Sequence, residues 1–287
     1  MIGVTAALLS AVCATAKDIV SKKVAPEVSG RVSALASFLF AVPYYLVLLS
    51  TLYLLGFETF AVHGAFFTWV ILRALSDTAA EWLKMEAIAV SDLSFIACFL
   101  ALSPVFLIFT SPFLTGDPIG WSEVGALLLV VAGTIIVAWK PGESLARADR
   151  RGMLLGTGAA FFFSLNTCFD RLAVQTASPT LSGFAVTLAA GLILLPTVRQ
   201  TPSVTPDLWR LRHPFLLRGF LELSFMVAKL TALVYLTAPT VMALQRISLV
   251  LSVIGGHTLF HERDFRRRLV GATLVLGGVV LLLSGVG

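Results

Sequence analysis

The chain has 287 residues, of which 57% are hydrophobic and 13% charged, with a formal net charge of +5 and a mean hydropathy of +0.92. Soluble domains carry roughly 25% charged residues, so the polar groups here are too few to coat a water-facing surface. The apolar residues run in continuous blocks without period-two alternation, which excludes a spanning β-barrel, and the basic residues sit in the short links between blocks, where membrane topology explains them without a nucleic-acid partner.

A hydrocarbon core about 30 Å thick needs ~20 apolar residues per helix. Ten spans are expected, near Ile2–Ser21, Val32–Leu55, Ala65–Ala89, Leu93–Leu114, Ser122–Trp139, Gly152–Ala173, Leu181–Val198, Pro214–Leu236, Thr240–Phe260 and Leu269–Ser284. The first has no basic residue before it and carries Lys17, Lys22 and Lys23 at or just after its end, the reverse of a secretory signal, so it is expected to be a retained span. Lys17–Asp18 near its end is read as a membrane-surface anchor, with a gate as the sharper alternative for Asp18. The third span carries Arg73, Asp77, Glu81 and Lys84, spaced so that all share one helix face. The sixth ends near Asp170–Arg171, with the same anchor-or-gate alternatives for Asp170.

The eighth span carries Arg218, Glu222 and Lys229 on one face, and the ninth carries Gln245 and Arg246. Arg73–Asp77 and Arg218–Glu222 are opposite charges one turn apart. Charges within a bilayer are costly, ~2.5–3.5 kcal/mol each on insertion scales, and such residues face cavities or pair. Two readings follow: a polar pathway in which Arg and Lys bind an anionic or zwitterionic solute and a carboxylate carries a proton, or pairs that only hold helices in register. Arg246 is a substrate contact or a structural bond.

Cys13, Cys98 and Cys168 lie in apolar segments at unrelated spacings and imply neither a disulfide framework nor a zinc site. His257, His261 and Glu262 have helix-face spacing for metal ligands, but the last two fall beside a basic link and are read as solvated. No metal or cofactor is expected. Asp117 and Glu262 are expected to cap the helices that follow them.

Shifting the first half by ~150 residues lays Thr15 and Asp18 on Thr167 and Asp170, and Arg73, Asp77 and Lys84 on Arg218, Glu222 and Lys229. Matched charges inside apolar spans point to a duplication, 1–145 and 146–287. Each copy holds five spans, and an odd number inverts the second copy, as in many secondary transporters. The links after spans one, three, five, seven and nine hold Lys22, Lys23, Arg31, Lys140, Arg147, Arg150, Arg151, Arg199, Arg210, Arg212 and the run from Arg263 to Arg268, whereas 56–64, 115–121 and 174–180 hold no Lys or Arg. The positive-inside rule places the basic links in the cytoplasm and both termini outside.

The sequences LSPVFLIFTSPFLTGDPIGWSEVGALLLVVAGTIIVAW and ISLVLSVIGGHTLFHERDFRRRLVGATLVLGGVVLLLS, with EAIAVSDLSFIA and TALVYLTAPTVMA before them, resemble the repeat ends of the drug/metabolite transporter superfamily, in particular its ten-span EamA-like members. The resemblance implies transport of small organic molecules, most often export, across a cell membrane, by a monomer or homodimer. Gly125, Ala132 and Gly133, and Gly271, Gly277 and Gly278, give the last span of each copy a small face that one chain can satisfy internally or use for a dimer. Nucleotide-binding loops, HExxH and GxSxG are absent from the sequence, so a gradient or exchange is expected to drive transport and an enzyme is not expected. A lipid or lipid-linked sugar flippase is the alternative.

Overall fold

The computed structural model describes residues 1–24, 27–28, 30–90, 96, 99–138, 150–198, 204–260 and 265–284. Every regular element among them is an α-helix: α1 Ile2–Val24, α2 Gly30–Leu54, α3 Phe66–Val90, α4 Ser103–Leu114, α5 Trp121–Ala138, α6 Arg150–Val174, α7 Pro179–Val198, α8 Val204–Arg210, α9 Arg212–Tyr235, α10 Ala238–Gln245, α11 Ile247–Phe260 and α12 Phe265–Ser284. Helix is what lipid demands, because it satisfies every backbone N–H and C=O within the segment. Four stretches, Ile2–Ser21, Leu35–Leu54, Arg150–Val174 and Pro179–Pro196, are long and apolar enough to cross a membrane alone; Ser103–Leu114, Trp121–Val137 and Ala238–Leu251 are shorter apolar stretches.

The fourth span begins outside the described residues, and α4 lies in its second half. Among the described residues the helices depart from the ten expected spans in two places. The ninth is broken at Arg246 into α10 and α11. The link 199–213 contains the short helix α8. Pro104 stands in the first turn of α4 and Pro239 in that of α10, where a missing N–H costs nothing, while Pro112 and Pro196 lie inside helices.

The chain forms two compact units, each drawn from both halves of the sequence. The first comprises Met1–Ala74 and Phe169–Tyr235. In it α9 packs on α1 and α2, and α7 on α2 and α9. Gly219 permits the close α2–α9 approach, since a Cβ there would stand 2.5 Å from the Phe40 carbonyl carbon. Val32, Leu35, Ala36, Val198 and Phe215 form a buried cluster beside it.

The second unit comprises Leu75–Cys168 and Leu236–Gly287, with α5 packed along α12, α10 on α4, and α11 on α12. A Cβ on Gly133 would lie 2.5 Å from the Gly271 carbonyl oxygen, and one on Gly271 would lie 2.6 Å from that of Gly133. Gly278 meets the Ala126 carbonyl oxygen in the same way at 2.7 Å. Of the expected small face, these three glycines make the backbone contact, whereas a Cβ on Gly125 would meet nothing within 4 Å.

Candidate functional site

Within the first unit, Asp170 is the most deeply placed charge. Its carboxylate, at 0% exposure, accepts from Arg73 Nε at Oδ1 (2.9 Å) and from Lys229 Nζ at Oδ2 (2.7 Å). Arg73 and Lys229 are themselves buried, at 8% and 7% exposure. Two cations therefore share one carboxylate. The burial of Asp170 replaces the surface-anchor reading: helix α6 carries it into the packed interior, where snorkelling is impossible. Arg171 also turns inward and donates from Nη1 to the Leu233 carbonyl.

Glu222 centres a second cluster in this unit. Its Oε2 accepts from Lys17 Nζ at 2.8 Å and from Ser37 Oγ at 3.1 Å. Lys17 Nζ also lies 4.4 Å from the centre of the Phe225 ring. Lys17 thus serves as an internal partner instead of a surface anchor, while its neighbour Asp18 is exposed. Arg218 donates from Nη1 to the Ser33 carbonyl oxygen at 2.6 Å and to Ser33 Oγ. An isolated i,i+4 pair is worth only ~0.2–0.5 kcal/mol, and beyond the expected Arg73–Asp77 and Arg218–Glu222 neighbours each group finds a partner on another helix: Arg73 on Asp170, Asp77 on Asn166, Arg218 on Ser33 and Glu222 on Lys17.

In the second unit, Asp77 Oδ1 accepts from Asn166 Nδ2 at 2.8 Å, and Asn166 Oδ1 accepts from Ser76 Oγ. Lys84 pairs with Glu81 one turn away, with its Nζ 5.6 Å from the Phe163 ring centre. Arg246 caps the end of α10 and donates from Nη2 to Ser103 Oγ at 2.8 Å. Asp117 caps a helix distant in sequence. Its Oδ2 accepts from the Ala238 N–H at 3.0 Å, at the start of α10, whereas α5 is capped by Glu123, which accepts from the Gly120 N–H at 2.8 Å.

Asn166, Ser37, Ser76 and Ser103 were not expected as partners. Asn166 lies one turn before Asp170 on α6, and a polar residue one turn from a charge within an apolar span was the available signal. Cys13 and Cys168 are buried free thiols. Cys98, His261 and Glu262 lie outside the described residues, as does the side chain of His257.

A chain of apolar helices that buries Arg73, Asp170, Glu222 and Lys229 and pairs them across helices is a polytopic membrane protein. Residues 150–284 match the EamA-like transporter family. The match falls on the second half of the chain, and that half is similar to membrane transporters of the drug/metabolite type. A solved structure titled only "Crystal structure of protein" is similar in fold, with a TM-score of 0.63 and 16% identity over 98% of this chain and 94% of that one. No curated protein matched the sequence.

Proposed function

We propose that the protein is a secondary transporter that exports a small anionic or zwitterionic organic metabolite, such as an amino acid, by alternating access across the cell membrane. Its ten spans form two inverted five-helix repeats, 1–145 and 146–287. The observation that carries the substrate class is the Arg73–Asp170–Lys229 cluster, in which two buried cations share one carboxylate. Buried Arg and Lys side chains offer charge-assisted donors that suit an anionic partner. Arg73, Asp77, Glu81, Lys84, Arg218, Glu222, Lys229 and Arg246 line the pathway, and a carboxylate among them carries the proton that couples transport to a gradient.

Alternating access is supported by a run of contacts in the first unit. From Arg73–Asp170 outward, Trp69 stacks on Phe169 with ring centres 6.4 Å apart. The His63 N–H donates to the Thr176 carbonyl at 2.9 Å, and Val62 bridges to Ala177. Ser178 Oγ donates to Glu58, whose carboxylate also accepts the Thr59 N–H at 3.1 Å. This series closes the α2–α3 link onto the α6–α7 link, on the side without basic links, with Asp170 as its innermost latch. Alternating access requires it to part.

The test is flux in proteoliposomes across a metabolite panel, with fluorescent phospholipid as a separate arm. Solute flux that falls in Lys84→Ala, Lys229→Ala and Glu222→Gln supports the site. Normal flux in all three removes it, and lipid movement without solute flux indicates a flippase.

A further inference from the structure

The cations of the proposed pathway are not equivalent. Arg73 and Lys229 share Asp170, Lys17 holds Glu222, and Lys84 holds Glu81. Arg218 bonds the neutral Ser33 but has Glu222 one turn away on its own helix; Arg246 has no acidic residue on either helix that flanks it. Among the described residues its side chain meets no carboxylate, and its hydrogen bond goes to a neutral hydroxyl, Ser103 Oγ. An Arg inside a membrane segment costs about 2.5–3.5 kcal/mol before any partner is found, and a hydroxyl does not neutralise it. The charge is also placed at an interruption: Arg246 is the residue at which the ninth span breaks into α10 and α11, and Ser103 opens α4. The backbone there stays helical and hydrogen-bonded, with the Arg246 N–H donating to the Ala243 carbonyl and the Arg246 carbonyl accepting from Leu249, so the side chain alone carries the polar chemistry of this position.

Ser103 engages only Nη2, so the Nε and Nη1 hydrogens remain for a ligand. The residue as a whole is half-buried. A planar guanidinium with donors left over matches the two oxygens of an oxyanion in a forked geometry.

We infer that Arg246 is the subsite for the anionic group of the transported solute, a carboxylate or phosphate oxyanion, with Ser103 as the positioning residue that fixes the guanidinium. This rests on the transporter reading above and adds to it the recognition chemistry. Among the described residues the arrangement leaves the Arg246 charge without a carboxylate inside its membrane segment. The bound solute cancels that charge, so solute occupancy lowers the cost of keeping Arg246 within the membrane segment.

The experiment compares flux in proteoliposomes for paired probes that differ only in the anion: amino acids against their C-terminal amides, and glycerol 3-phosphate against glycerol. Wild-type protein is expected to move acids and not the neutral partners. The amino-acid and phosphate arms separate the two oxyanions. Arg246→Ala is expected to lower kcat/KM for the acid by about 30-fold or more, the effect of truncating one side of a desolvated charge pair. Arg246→Lys keeps the charge but loses the fork, and about a tenfold rise in KM is expected. Ser103→Ala, which preserves the cation, is expected to raise KM more than it lowers kcat.

A merely structural Arg246 would affect acid and amide alike, so a change in the acid-to-amide ratio is the decisive readout. Wild-type flux of amides equal to that of acids, or an unchanged ratio in Arg246→Lys and Ser103→Ala, overturns the subsite and leaves the transporter reading standing. No flux of any probe by folded wild-type protein sinks both.

Discussion

Arg73 Nε donates to Asp170 Oδ1 at 2.9 Å, joining α3 to α6 across 97 residues of sequence. Asp77, one turn further along α3, accepts from Asn166. The same carboxylate of Asp170 also receives Lys229. Removing its charge leaves two buried cations without their anion. Asp170→Asn is expected to lower stability by about 3–5 kcal/mol, the range for breaking a buried pair from one side. Thermal unfolding in detergent measures this. A melting temperature equal to wild type would show that water reaches the cluster.

The Lys17–Glu222 bond at 2.8 Å links α1 to α9 and has a third member in Ser37. Lys17→Met and Glu222→Gln, made singly and together, form a double-mutant cycle. Residues in direct contact couple by about 0.5–3 kcal/mol. Additive losses in the cycle would mean that the bond contributes nothing beyond its two desolvated ends.

Val62 and Ala177 form an antiparallel bridge between two links. Bridged positions place Cα atoms about 4.5–5.5 Å apart, within disulfide range. Val62→Cys combined with Ala177→Cys is expected to crosslink under mild oxidant and to stop flux, with recovery on adding reductant. The buried native thiols Cys13 and Cys168 are controlled by the parent chain under the same oxidant. Full flux through the crosslinked protein would show that these links stay closed throughout the cycle.

Gly133 and Gly271 approach each other through backbone atoms, with no room for a side chain. Gly133→Val is expected to destabilise by about 1–3 kcal/mol or more through forced separation of α5 and α12. Gly125→Ala, with nothing within 4 Å of the new Cβ, is expected to be close to neutral. A denaturation series in detergent distinguishes the two. Equal effects would place the close contact elsewhere on α5.

The helical fold was legible because lipid leaves the backbone no alternative, and the few charges stood out against apolar blocks. What the sequence could not convey was partner choice. Arg73 has an acidic neighbour one turn away in Asp77, and packing brings it a further, buried acid in Asp170 from another helix. Lys17 and Asp170 read as surface anchors by their position near span ends, but helices α1 and α6 run on past the expected boundaries and carry both side chains inward. The break at Arg246 has no Gly at the residue itself to announce it; Pro239 begins α10 seven residues earlier. Asp117 was legible as a cap, though not its hold on the distant α10, since only the folded chain brings Ala238 to it.

That last bond spans 121 residues, and it has a bearing on biosynthesis. Each compact unit takes one segment from either half of the chain. A nascent chain that has delivered its first five helices to the bilayer owns an Asp117 with no α10 to hold, and an Arg73 whose acid, Asp170, has yet to be made. Neither unit can close until the ribosome has passed residue 238. The first half therefore waits in the membrane as an unfinished partner, exposed for that interval to quality-control proteases. Expressed from two separate genes, the halves would have to find each other before either could mature.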